Sequence, residues 1–146
     1  MRFTFILIFM TAACVGAPLT TTFSAGSPSP TADVFGCARQ QLKVIDFVQS
    51  SVDVNDRRLN AREYDETARR PDVTFRRVVD RLEIEATPAS ANAVTTLTVN
   101  ARTFGEYANQ RGPTEVQERT SETAKKAAQA IIDACGGEVA SPTEEG

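Results

Sequence analysis

The chain has 146 residues and a formal net charge of −3, and it contains neither histidine nor tryptophan. A weakly acidic chain with scattered arginines has no electrostatic footprint for nucleic acid. The lack of histidine excludes Ser-His-Asp and Cys-His catalysis, His-ligated zinc and the usual His-ligated haem. What remains is carboxylates, Arg, Ser, Thr and two tyrosines, a poor kit for an enzyme, so no catalytic residue, metal or cofactor is expected.

The chain opens with an export signal. Arg2 precedes an apolar run from Phe3 to Met10, broken only by Thr4, and the small residues Thr11, Ala12, Ala13, Gly16 and Ala17 follow. That order is the signature of a secretory signal peptide, and the run is shorter than the roughly 20 residues a membrane anchor needs. The signal is placed at 1–16. Thr11-Ala12-Ala13-Cys14 resembles a bacterial lipobox, which makes Cys14 a lipidation candidate and a lipid on it the chain's route to a membrane. Ordinary cleavage near Gly16 or Ala17 is the alternative and would discard Cys14. The expected location is secreted or anchored to the outer face of the cell membrane.

Residues 17–32 are rich in Thr, Ser, Pro and Gly and read as a flexible tether. A domain is expected over 33–136, with a disordered tail at 137–146. From about Ala38 to Val52, Leu42, Ile45, Val48 and Val52 recur at steps of three and four, predicting a first helix with Asp33 as a possible cap.

The next stretch, 53–71, is highly charged and predicts at most a short helix around Ala61 to Ala68. Arg57-Arg58-Leu59-Asn60 is a near miss to a plant-pathogen host-entry motif and carries little weight. Glu63, Asp65 and Glu66 could together hold Ca²⁺, but five neighbouring arginines make a solvated mixed-charge segment the simpler reading. Tyr64 and Tyr107 are the only tyrosines, and a tyrosine can serve as an axial haem ligand. Packing at the core edge for Tyr107 and surface exposure for Tyr64 are the simpler readings.

Phe75, Val78, Val79, Leu82 and Ala86 share a helical face and predict a second helix over about 72–86. On a helix Glu83 and Glu85 diverge by about 200°, too far for a catalytic pair; on a strand they would share a face. Thr87-Pro88 reads as the start of a third helix, to Asn109, with Val94, Leu97, Ala101, Phe104 and Ala108 in step. The same stretch has strong β-propensity at Val94–Val99. After Gly112-Pro113, Thr114 and Gln117 offer a capping box for a fourth helix to Ala134, with Gly136 as its C′ residue.

These segments predict an all-α fold, an up-down antiparallel four-helix bundle. The alternative is an α+β domain with a hairpin at about 73–104. With Cys14 removed or lipidated, Cys37 and Cys135 form an even pair that reads as a disulfide in an oxidising compartment. Their positions suit the bundle, because the start of its first helix and the end of its fourth lie at one end.

The segments CARQQLKVIDFV, DRLEIEATPASANAVTTL, TFGEYANQRG and AQAIIDACGG resemble small secreted or lipid-anchored helical proteins of actinobacteria. The resemblance is one of spacing and composition over about 37–136, and it implies an address and a fold more than an activity. The function expected is a secreted or membrane-anchored non-enzymatic helical domain in the cell envelope, binding a partner protein or a small apolar ligand. The alternative is a secreted effector or toxin-like protein of a eukaryotic microbe.

Overall fold

The computed structural model describes residues 19–89, 94–139 and 143–145. Among these, the fold is one antiparallel sheet of eight strands with two helices, an α+β architecture in place of the expected four-helix bundle. The likeness to all-helical actinobacterial proteins falls with it. The signal peptide and Cys14 lie outside the described residues.

The strand β1, Thr20–Ser27, occupies most of the stretch expected as a tether. Its composition is polar, but its pattern is strictly alternating: Thr21, Phe23, Ala25 and Ser27 are buried and their neighbours are half-buried. β-branched threonines suit such a half-buried pleated surface. Helix α1, Thr31–Val44, follows directly and buries Val34, Phe35, Ala38 and Leu42. It begins and ends earlier than the predicted span of about Ala38 to Val52. The apolar step pattern ends where Asp46 takes a left-handed conformation (φ 60°), and Val48 begins the edge strand β2, Val48–Asp53.

A tight hairpin joins β2 to β3, Arg58–Asp65, where a short helix was expected. Asp53 Oδ1 accepts from the backbone N–H groups of Asn55 and Asp56, both at 3.0 Å, an Asx-type turn. The second and third predicted helices are the long strands β4, Phe75–Pro88, and β5, Thr95–Tyr107. They form the hairpin that was the alternative reading, and it is the spine of the sheet. Leu82, Ile84 and Ala86 on β4, and Leu97, Val99 and Ala101 on β5, all face the helices.

The last predicted helix splits in two. Thr114–Glu118 forms β6 against the end of β5, and helix α2 spans Glu122–Cys135. Ser121, rather than Thr114, is the N-cap: its Oγ accepts from Ala124 N at 2.9 Å. Ala124, Ala127, Ala128, Ile131, Ile132 and Cys135 form the buried stripe of α2. Gly136 follows in an extended conformation (φ −82°), not the left-handed one expected of a C′ glycine. Its value is close approach, since a Cβ there would lie 2.7 Å from Ala25 Cβ. Two short strands complete the sheet: β7, Glu138–Val139, and β8, Thr143–Glu145, both pairing with β1.

The sheet runs β2-β3-β4-β5-β1-β7, with β6 on β5 and β8 on β1. Both helices pack on one face, touching each other and β4 and β5, and the hydrophobic core lies between helices and sheet. The Cys37–Cys135 disulfide ties α1 to the last residue of α2 across 98 positions, with Cα atoms 5.8 Å apart. The bridge expected from the cysteine arithmetic is present, but it clamps two neighbouring helices on a sheet instead of closing the ends of a bundle.

Candidate functional site

Among the described residues, the opposite face of the sheet carries no helix. Register fixes what it displays. Arg62 on β3 lies opposite Arg81 on β4, and Arg81 lies opposite Arg102 on β5. Three arginines therefore stand in one row on three neighbouring strands, which are about 4.8 Å apart. Like charges placed directly opposite each other destabilise a sheet, so the surroundings of this row matter.

Part of the charge is offset locally. Arg81 pairs with Glu115 of β6, and its guanidinium lies 4.7 Å from the centre of the Phe104 ring. Arg102 has Glu83 at 3.6 Å, too long for a hydrogen bond. Among the described residues no carboxylate pairs with Arg62; its Nη1 donates to Tyr64 Oη at 3.2 Å. Beside the row, Arg77 lies 4.0 Å over the Tyr64 ring and pairs with Glu106 at 3.1 Å and Glu66 at 3.2 Å. Val79, fully buried although it faces away from the helices, sits in register between Tyr64 and Phe104. Two aromatic rings roofed by guanidiniums thus make a small second apolar layer, consistent with the preference of Arg for aromatic faces.

The roofing has a cost. The Nε–H groups of Arg62, Arg77 and Arg81 are buried without a hydrogen-bond acceptor, and a buried donor left unpaired costs about 1–3 kcal/mol. Two of the three, Arg62 and Arg81, line a recess of about 340 Å³ together with Arg102, Asn60 and Asn100. Ser50 and Ser51 of β2 form its rim. Asn100 Oδ1 accepts from Thr22 Oγ1 at 2.7 Å. The recess holds three guanidiniums against the single carboxylate of Glu83. Its chemistry is that of a donor-rich cradle for an anion.

The residues singled out from sequence are dispersed. Tyr64 belongs to the open face. Tyr107 lies on the other side of the sheet, edge-on to Phe75 at 5.6 Å, and its Oη accepts from Arg70 at 2.8 Å. They share no site. Arg70 also forms a two-pronged ion pair with Glu118, which pulls the Glu118 carboxyl below its ordinary range, and this fastens the 66–74 loop to β6. Asp65 Oδ1 accepts from Thr67 N and Ala68 N in a turn, while Glu66 goes to Arg77. Glu63 faces the helix side beside Asp80; burial pushes its carboxyl up, and the Asp80 charge adds to the effect. Three carboxylates adjacent in sequence thus serve three different ends, and among the described residues no group of acidic or thiol side chains is placed to hold a metal ion.

Glu83 and Glu85 do share a face, as a strand requires, but Arg102 lies near the first and Arg58 binds the second at 2.7 Å. Arg57 occupies the β2–β3 turn in a left-handed conformation (φ 50°), and Arg58, Leu59 and Asn60 begin β3.

One buried carboxyl escaped sequence reasoning. Asp80 accepts from Thr103 Oγ1 at 2.5 Å and from Ser121 Oγ at 2.7 Å. Burial pushes its carboxyl up, against the downward pull of those two hydrogen bonds. It joins β4, β5 and the start of α2, so its role is to seat the helix on the sheet. The arginine row was equally hidden, because a row needs strand register as well as strand identity. Compared with known proteins, the chain matches no family model and no curated protein.

Proposed function

We propose that this protein is exported and acts as a non-enzymatic binding domain, taking an anionic small ligand on the open face of its sheet. The observation that carries the reading is the in-register row Arg62–Arg81–Arg102 lining a polar recess. Like charges placed directly opposite one another disfavour folding, whereas an anion bound across the row would offset them. A recess lined by charged and polar groups favours an anion over the apolar ligand expected from composition. A purely binding role is supported by the placement of the carboxyls that burial raises. Asp80 and Glu63 lie on the helix side of the sheet, away from the recess.

The signal-like N-terminus and a disulfide across 98 positions support export. The strand at Thr20–Ser27 bears on how the domain is released. A lipid on Cys14 would leave only residues 15–19 between membrane and sheet, at most about 20 Å of chain. Cleavage near Ala17 needs no spacer. That favours the freely secreted, effector-like alternative over the anchored one.

The test is a nuclear magnetic resonance titration of the disulfide-intact chain with phosphate, sulfate and succinate at constant ionic strength, with glycerol as the neutral control. Saturable shifts are expected at the amides of 60–62, 81–83 and 100–102 with at least one anion. Shifts that never saturate, or that centre on α1 and α2, would refute the reading. Mass spectrometry of the exported protein's N-terminus separates a chain starting near Ala17 from one starting at a lipidated Cys14.

A further inference from the structure

We infer that the anion is a tetrahedral oxyanion, a phosphate or sulfate group esterified to a small soluble molecule. The inference rests on the anion-site reading above and concerns which anion fits.

The number of guanidiniums in the row makes the choice. A carboxylate has two oxygens and is matched by one guanidinium fork. The recess already contains or borders two carboxylates. Glu115 takes Arg81 and Glu83 stands 3.6 Å from Arg102. Even so, Arg62 Nε and Arg81 Nε remain without acceptors, and Arg62 as a whole meets only a phenol oxygen. A further carboxylate could serve one arginine of the row. A tetrahedral monoester presents three terminal oxygens in a fan, one toward each of three strands, and three neighbouring strands here each contribute one arginine. Charge is consistent with this. Counting Glu115, which binds Arg81 from the border, three guanidiniums meet two carboxylates, and the positive charge left over is one that an anionic ester offsets.

The remaining walls describe what the group is attached to. Ser50, Ser51, Asn60 and Asn100 are short and polar, and Phe104 is the one aromatic residue of the lining. Hydroxyl and amide groups suit a hydroxylated body. At about 340 Å³ the recess lies near the lower end of the usual 300–1,000 Å³ for ligand pockets. That volume matches a small molecule and not a polymer. A recess rimmed by serines also offers no apolar wedge for insertion between lipids, so the source is a soluble ester.

Glu83 and Glu115 then have a second part to play. In the free protein they hold Arg102 and Arg81 near the recess, and a bound ester competes with both for the same guanidiniums. Removing the Glu83 charge is therefore expected to tighten binding, whereas removing the Arg62 charge abolishes the one contact with no competitor.

Calorimetric titration of the full disulfide-intact chain at constant ionic strength tests this with glycerol 3-phosphate, inorganic phosphate, succinate and glycerol as probes. Glycerol 3-phosphate is expected to bind at least as tightly as inorganic phosphate. Both should exceed succinate by roughly tenfold or more, the value of one charge-assisted hydrogen bond, and glycerol should not bind. Arg62→Gln is expected to weaken glycerol 3-phosphate by roughly tenfold or more. Glu83→Gln should strengthen it, and Lys126→Ser on α2 should leave it unchanged; circular dichroism melts confirm that each variant is folded. Succinate binding as tightly as phosphate would overturn the tetrahedral assignment while leaving the anion site standing. Inorganic phosphate binding more tightly than the ester would overturn the esterified body. Co-sedimentation with phosphatidic acid vesicles, without any heat from glycerol 3-phosphate, would replace the soluble ligand with a lipid surface. Silence from every anion would remove both this inference and the reading beneath it.

Discussion

The two faces of the sheet are built from alternate residues of the same strands, yet they differ in what they carry. On the helix side the most deeply buried carboxyl is hydrogen-bonded, although Thr21 Oγ1 on the same side is buried without a partner. Asp80 accepts from Thr103 and Ser121, and the Ser121 hydroxyl in turn caps α2. On the open side three arginines stand in register and two of them leave a buried Nε–H unanswered at the recess. The faces differ in charge: the helix side is mainly apolar core, whereas the open side sets three guanidiniums next to one another. Stability should therefore concentrate on the first face and binding on the second.

The largest effects are expected on the helix side. Ile131 is fully buried between α2 and the sheet, and Ile131→Ala should cost about 2–5 kcal/mol by deleting buried methylene contacts and leaving a cavity. Removing the Cys37–Cys135 bridge by double replacement with serine should cost about 2–4 kcal/mol, as loops of this length commonly do. Urea titration measures both. A reversed ranking, with open-face substitutions costing more than either, would break the comparison. The intact bridge also predicts that neither cysteine is alkylated before reduction.

The next effect belongs to the loop at 66–74. Arg70→Ala removes both prongs of the ion pair with Glu118 and the donor to Tyr107. Both groups keep some contact with water, so the expected loss is about 1–2 kcal/mol, the lower part of the range for charge-assisted hydrogen bonds. Its pH signature is set by sign. The Glu118 carboxyl is depressed by Arg70, so the ion pair stabilises fully above the ordinary carboxylate range. That contribution is lost as pH falls through the lowered folded value. The gap between wild type and Arg70→Ala should therefore close in acid. Asp80 has the opposite sign. Burial raises its folded value, so its contribution is complete below the ordinary carboxylate range and declines as pH rises through the folded value. Relative to wild type, Asp80→Asn should gain stability between about pH 4 and pH 7. Thermal melts at both pH values check the two slopes, and parallel slopes for the two variants would contradict the assignment.

How much of this was visible in the sequence follows from which interactions are local. Helix α2 was legible because its stripe and its cap are set within one stretch, although its start was misplaced from Ser121 to Thr114. The disulfide was legible because only one even pair remained. Strands β4 and β5 were read as helices because Phe75, Val78, Val79, Leu82 and Ala86 satisfy a helical template as well as Leu82, Ile84 and Ala86 satisfy an alternating one. The choice between them is made by partners on other strands. Strand β1 was missed because its Thr, Ser and Gly content resembles a linker, and only pairing with β5 shows that every second residue is buried. The arginine row lies furthest from sequence. Arg62, Arg81 and Arg102 are far apart along the chain, and a shift of one residue in either register would turn one of them to the other face.

The smallest expected effect is also the most discriminating. Arg62→Gln keeps part of the side chain's apolar stem and removes the one guanidinium of the row that no carboxylate approaches. It relieves a like-charge neighbour in Arg81, a pairing worth roughly 0.2–1 kcal/mol of destabilisation in sheets. Its melting midpoint should stay level with wild type or rise, while affinity for the anion falls. An arginine kept for the fold would show the reverse, a loss of stability with binding untouched. Because the two outcomes differ in sign, a shift of a degree or so in the melt, read beside one titration, decides whether the open face is shaped by folding or by its ligand.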